Sequence, residues 1–185
     1  MTTVAEPGDL ILVRSPGRIF ALGRRLAGNA YDHVAIVVEG GETVNIDKPR
    51  VRCLPVERLL RASLAPLVLR PGWQHPDERR AFLAWTRSLL GRPYDRRRTY
   101  GLVPRLLARR LTGIAVPLAA PRVDQSHWIC TDAVLLGLER CRPGFPAVRG
   151  LELDWVRLRC GSTNDFLRIH EARPDLLARV ESGAA

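Results

Sequence analysis

Lysine is nearly absent from this sequence: Lys48 stands alone among 29 basic residues, so the positive charge is carried by arginine. Long apolar runs are missing too. No stretch approaches the roughly 18 consecutive apolar residues of a spanning helix, which removes an integral membrane anchor from the readings of any segment. The first residues, Met1 to Asp9, contain no basic cluster followed by an apolar core, so no secretory leader is expected. The four cysteines, Cys53, Cys130, Cys141 and Cys160, show no CxxC spacing, and neither a zinc site nor any other cofactor is expected. In a chain of this size without an export signal they read as reduced thiols of a cytoplasmic protein rather than a disulfide frame. Repeats and low-complexity runs are also lacking, and the 14 prolines and 15 glycines are spread along the chain. That distribution implies many short connections and no linker.

What is present describes an ordinary globular domain. Hydrophobic residues make up 46% and charged residues 26% of 185 positions, enough for one domain over residues 1–185 with a real core. The net charge of +10 favours an anionic partner: nucleic acid, anionic lipid or an acidic substrate. Nucleic acid is the poorest of these, because no helix-turn-helix, zinc finger or RNA-binding aromatic motif accompanies the arginines.

Local patterns alternate between strand and helix. Leu10-Ile11-Leu12-Val13 reads as a buried strand, and Ser15-Pro16 as the cap and first turn of a helix. That helix is expected to turn Ile19, Phe20, Leu22 and Leu26 inward and to stop at Gly28-Asn29. His33 to Val38 is β-branched and apolar, Glu39 to Glu42 a turn, and Thr43 to Ile46 the returning strand. Val51 to Leu54 and Leu64 to Leu69 are further strand candidates. Asp77 to Leu90 has helical spacing that Gly91 breaks, and a helix is expected to begin near His127 or Trp128. A hairpin meander after the first helix favours an α+β fold, a small antiparallel sheet packed against helices. A C-terminal tail is expected from about residue 171.

Two residues carry candidate chemistry. A thiol attacks as thiolate and needs a neighbouring imidazole or a helix N-terminus to favour that form. Cys130 sits where a helix begins, and His33 opens an apolar strand; a strand-edge imidazole facing a helix-start thiol is the arrangement of a cysteine hydrolase. His127, three residues before Cys130, is the rival base.

Four stretches carry a family resemblance: Gly8-Asp9-Leu10-Ile11-Leu12, Asp32-His33-Val34-Ala35-Ile36-Val37, Leu90-Gly91-Arg92-Pro93-Tyr94-Asp95 and Trp128-Ile129-Cys130-Thr131-Asp132. Together they resemble the permuted branch of the NlpC-type papain-like superfamily, with its YiiX-like and lecithin retinol acyltransferase-like members, in which the histidine precedes the cysteine. The resemblance covers roughly residues 8 to 170. It implies a circularly permuted papain-like fold, a nucleophilic Cys130, a basic His33, and a third polar residue on the following strand. Asn45 matches that position and Asp47 is its nearest rival. Tyr94 matches a tyrosine that helps hold the oxyanion in the wider superfamily. The sequence departs from the pattern at Asp32 and Thr131, where smaller or serine-like residues are usual; Asp32 is expected to point away from His33.

Strand geometry makes the triad conditional. A two-residue hairpin loop at Gly40-Gly41 would pair positions summing to 81 and set Val44 and Ile46 on the His33 face. An odd loop sets Asn45 and Asp47 there instead. The triad therefore requires an odd loop.

The implied activity is cleavage of an amide or ester in a peptide, a peptidoglycan stem or a lipid through an acyl-cysteine intermediate. A non-catalytic lipid- or peptide-binding module on the same fold is the alternative. Residues 100–122 form a basic, apolar insertion between the histidine and the cysteine. As a helix it sets Leu106, Leu107, Leu111 and Ile114 on one broad side and Arg105 and Arg109 on the other, with Arg110 intruding on the apolar arc. Such a segment offers a peripheral contact with an anionic membrane surface through 100–121.

Overall fold

The structure, a computed structural model, describes residues 5–122, 124–142, 145 and 151–180. Six antiparallel strands form one sheet: β1 (Leu10–Val13), β2 (His33–Val38), β3 (Glu42–Asn45), β4 (Arg52–Pro55), β5 (Leu67–Pro71) and β6 (Leu177–Arg179). Their spatial order is β4-β3-β2-β1-β5-β6, so the two most continuously apolar strands lie at the centre. Burial on both faces explains why β1 and β2 read as unbroken apolar runs rather than alternating ones.

One face meets three helices: α3 (Pro76–Ser88), α5 (Cys130–Cys141) and α7 (Thr163–Ala172). Leu10, Leu12, Val34, Ile36 and Val44 there join Phe82, Leu135 and Phe166 in the main core. At Gly137 a Cβ would lie 2.4 Å from the Trp85 ring, so only glycine lets α5 approach α3 this closely. The opposite face, with Ile11, Val13, Ala35, Val37 and Val68, is covered by Leu59 of α2 (Val56–Ala62). A third cluster joins Leu102 and Leu106 of α4 (Arg96–Thr112) to Ile129, Leu158 and Cys160. Leu158 belongs to the short α6 (Asp154–Leu158).

The β2–β3 hairpin has an odd connection. Ala35 pairs with Asn45 and Val37 with Thr43, and Glu39, Gly40 and Gly41 form the turn between the strands. Gly40 and Gly41 both have positive φ, 78° and 72°, a conformation that side-chain-bearing residues resist. This register sets Asn45 on the same face as His33.

Several local expectations are corrected. The helix α1 (Arg18–Ala27) begins after Gly17, at φ 102°, rather than at Ser15-Pro16, although Gly28 stops it in the left-handed conformation as expected. Its orientation is the reverse of the expected one: Arg24 is the buried residue, while Ile19, Phe20, Leu22 and Leu26 are 84, 51, 57 and 40% exposed. The cause is Asp32. Its carboxylate accepts the Ser15 N–H (2.9 Å) and pairs with Arg24, whose guanidinium also donates to the Ser15 carbonyl (2.8 Å). A desolvated ion pair with these hydrogen bonds holds the arginine face inward. The strand expected over Leu64–Leu69 begins at Leu67, and α2 was not anticipated. Beyond residue 171, in the expected tail, β6 pairs with β5 and completes the sheet. In α4, Leu106 is buried and Leu111 75% exposed, so they do not share a side, and Ile114 lies past the Gly113 cap. Arg109 is not outward but paired with the buried Asp154.

Candidate functional site

Cys130 is the first residue of α5, with Ile129 as N-cap. The first hydrogen bond of the helix runs from the Ala133 N–H to the Ile129 carbonyl, so the Cys130 amide has no partner within the helix. An anion at this sulfur meets the positive end of the helix dipole. The next two residues anchor the helix. The Thr131 hydroxyl donates to the Gly161 carbonyl (2.8 Å), and Asp132 accepts the Gly161 N–H (2.8 Å). Thr131 thus has a structural task here.

α5 packs against β2, whose first residue is His33. The His33 ring is bonded through Nε2 to the Asn45 carboxamide oxygen, which leaves Nδ1 for Cys130. Burial, the largest influence, pulls the His33 pKa down. The Cys130 charge, hydrogen bonds with Cys130 and Asn45, and the Asp47 charge together outweigh it and raise the pKa to about 9. Of the two rivals for the third position, Asn45 makes the hydrogen bond and Asp47, just beyond β3, acts on the ring through charge. Asp32 is turned away toward Arg24, as expected. His127 is exposed and bonded to the Ser126 hydroxyl (2.7 Å).

Tyr94 belongs to a segment that joins the two halves of the site. On one side the Tyr94 N–H donates to the Pro49 carbonyl and the Val51 N–H to the Arg92 carbonyl. On the other, the Trp128 N–H donates to the Pro93 carbonyl and the Asp95 N–H to the Trp128 carbonyl. Residues 91–95 thus stitch the exit of β3 to the entrance of α5. Burial, then the charge of Cys130, pushes the Tyr94 phenol well above its ordinary range, so it remains protonated. The Thr99 hydroxyl donates to the Asp95 carbonyl at 2.8 Å and lies 3.0 Å from Tyr94 Oη.

Three supporting residues escaped the sequence reading. Thr99 is one, with nothing but its polarity to mark it. Lys48 lies 5.9 Å from the Tyr94 ring centroid and 5.5 Å from that of Tyr100, a cation–π cap whose only hint was that it is the sole lysine. Arg98 pairs with Asp132 and also donates to the Ala119 and Arg159 carbonyls. It was concealed in the run Arg96-Arg97-Arg98, where its neighbours are exposed.

Beside Tyr94 opens a groove of about 860 Å³ lined by Arg96, Arg97, Leu118, Gln125 and His127, among others. Tyr94 is the residue the groove shares with the Cys130–His33–Asn45 group.

No known family model matches the chain, and no curated protein does either. A solved structure shares the fold: the metalloprotein YiiX of Escherichia coli O157:H7, at 14% identity and a TM-score of 0.50, covering 97% of this chain and 98% of that one. The α+β architecture is therefore that of a YiiX-like domain. Among the described residues no helix is long and apolar enough to cross a membrane.

Proposed function

We propose that the protein is a cysteine-dependent hydrolase or acyltransferase that cleaves an amide or ester through an acyl-cysteine intermediate. The observation that carries this reading is the His33 imidazole held between the Asn45 carboxamide and the Cys130 thiol at a helix N-terminus. In the first step the Cys130 thiol gives its proton to His33 Nδ1 as the sulfur adds to the substrate carbonyl carbon and the π pair moves to oxygen. The Cys130 N–H and the Tyr94 hydroxyl receive that oxyanion. Collapse reforms the carbonyl and expels the amine or alcohol, which takes the proton from His33 Nδ1. The resulting thioester is attacked by water, or by an amine or alcohol acceptor, whose proton passes to Nδ1; the sulfur leaves and takes that proton back from Nδ1, which returns the site to its starting state. Asn45 positions the ring throughout.

The groove beside Tyr94 admits a substrate of peptide, peptidoglycan-stem or lipid size, and its arginines suit an acidic one. A cytoplasmic location is part of the same reading, supported by four unbridged cysteines. The neighbour is described as a metalloprotein, and among the described residues here no three His, Cys, Asp or Glu side chains are grouped as a metal site.

The test is the alkylation rate of each cysteine, read by mass spectrometry in wild type and His33→Ala. Burial pushes the Cys53, Cys141 and Cys160 thiols up, so iodoacetamide should take Cys130 first, and His33→Ala should slow that site alone. A Cys130 that is inert, or indifferent to His33, would sink the enzyme and leave a non-catalytic lipid- or peptide-binding module.

A further inference from the structure

Helix α1 presents its apolar side to solvent. Ile19, Leu22 and Leu26 recur at intervals of three and four residues and form a single stripe on the side opposite Arg24, the one residue the helix buries. Ordinary surface helices do the reverse, directing the apolar stripe to the core and the charge outward. Here the inward arginine is held by Asp32 and the Ser15 carbonyl, so the exposed stripe follows from the pairing of named groups.

The apolar surface continues onto α4. The two helices pack against each other, and the Arg110 guanidinium donates to the Arg25 carbonyl of α1. Val103 lies two turns before Arg110 on that same side and is exposed, and Leu111, the next residue outward, is 75% exposed. Just past the Gly113 cap, Ile114 and Val116 add 64 and 47% exposure. Large apolar side chains grouped in this way mark an interaction surface.

The charge on this surface selects its occupant. α1 contains three arginines and α4 six, and neither helix contains an aspartate or glutamate. Arg24, Arg98 and Arg109 are paired inside the fold, while Arg18, Arg25, Arg96, Arg97 and Arg110 are exposed. A second copy of the chain meeting this face through its own would set Arg18 and Arg25 against their counterparts with no acid of either helix to relieve them. An anionic bilayer meets both requirements at once: acyl chains receive the stripe, and lipid phosphates receive the guanidinium groups at its border. At ten residues α1 is about 15 Å long, half a bilayer core, so it lies in the plane of the interface and does not cross it.

We infer that α1, with the adjoining side of α4, is a membrane-docking surface that seats the protein on anionic lipid. The inference does not rest on the catalytic reading, since it uses neither Cys130 nor His33. It moves the principal contact from residues 100–121 to α1.

The test is co-sedimentation of the full chain with vesicles of phosphatidylcholine alone and of phosphatidylcholine with phosphatidylglycerol. The protein should pellet with the anionic vesicles, far less with the neutral ones, and dissociate as salt is raised. Ile19→Gln, Leu22→Gln and Leu26→Gln in one variant should lower partitioning at least about tenfold. Glutamine keeps good helix propensity and the three sites are exposed, so circular dichroism and the thermal midpoint should be unchanged. Arg18→Glu with Arg25→Glu, which keeps the stripe, should abolish the preference for anionic vesicles. Three results would overturn the inference: wild type bound to neither vesicle, the glutamine variant bound as tightly as wild type, or a dimer in sedimentation velocity that the glutamine variant dissolves. The last would assign the face to a second copy. None of these readouts involves turnover, so the fate of the hydrolase proposal is decided separately.

Discussion

His33 Nε2 is bonded to the Asn45 carboxamide oxygen across two strands whose register is set by the turn Glu39-Gly40-Gly41. With one residue fewer in that turn, Val44 or Ile46 would share the His33 face and the imidazole would have no orienting partner there. The candidate triad therefore depends on two consecutive glycines of positive φ as much as on its own side chains.

Replacing Asn45 should loosen the ring without removing the base. Asn45→Ala is expected to slow Cys130 alkylation and any turnover about tenfold, less than His33→Ala, because general-base catalysis contributes ~100-fold or more. Asn45→Gln, which keeps the carboxamide but lengthens the arm, should not restore the rate. Parallel alkylation time courses on the three variants decide the order.

His33 also links stability to pH. Its pKa rises from 6.5 to about 9 on folding, so the folded state holds the proton more tightly than the unfolded chain. The stabilisation is fully present below pH 6.5 and is lost as pH climbs through about 9. Thermal midpoints of wild type should fall over that window relative to His33→Ala, whose profile there should be flatter. Parallel profiles would refute the linkage.

Tyr94→Phe separates thiol activation from oxyanion binding. Loss of one oxyanion donor should cost about 100-fold in turnover of a peptide or ester substrate. Alkylation by iodoacetamide forms no oxyanion, and its rate at Cys130 should change little. Equal losses in both assays would assign Tyr94 to shaping the thiol's surroundings instead.

Arg98→Ala leaves Asp132 buried without its cation at the foot of α5, at an expected cost of about 3–5 kcal/mol in urea unfolding. Arg98→Lys should recover only part of it, since one ammonium cannot span Asp132 and the Ala119 and Arg159 carbonyls as the planar guanidinium does.

Much of the frame was legible locally. The apolar runs of β1 and β2, the returning strand of the hairpin, the Gly28 stop and a helix beginning close to Cys130 are all short-range patterns, and short-range patterns are what strand alternation and helix caps record. The pairing of Asn45 with the His33 face was legible only as a condition on loop length, because the residues themselves allow either parity.

By itself, then, the sequence determined which segments are extended or helical, and it set a histidine at a strand start and a cysteine at a helix start. Those choices are made within a few residues by backbone sterics and capping. Only the tertiary structure decided which side of α1 faces inward. Periodicity defines a stripe but not its direction, and the direction came from Asp32, whose carboxylate claimed Arg24 and left Ile19, Leu22 and Leu26 outside. It alone also selected Arg98 from three consecutive arginines, through the buried charge of Asp132, and drew residues 91–95 between Pro49 and Trp128. Each of these depends on a partner distant in sequence, and the energy of a buried ion pair or an interchain-like ladder of hydrogen bonds exists only once both partners have been brought together.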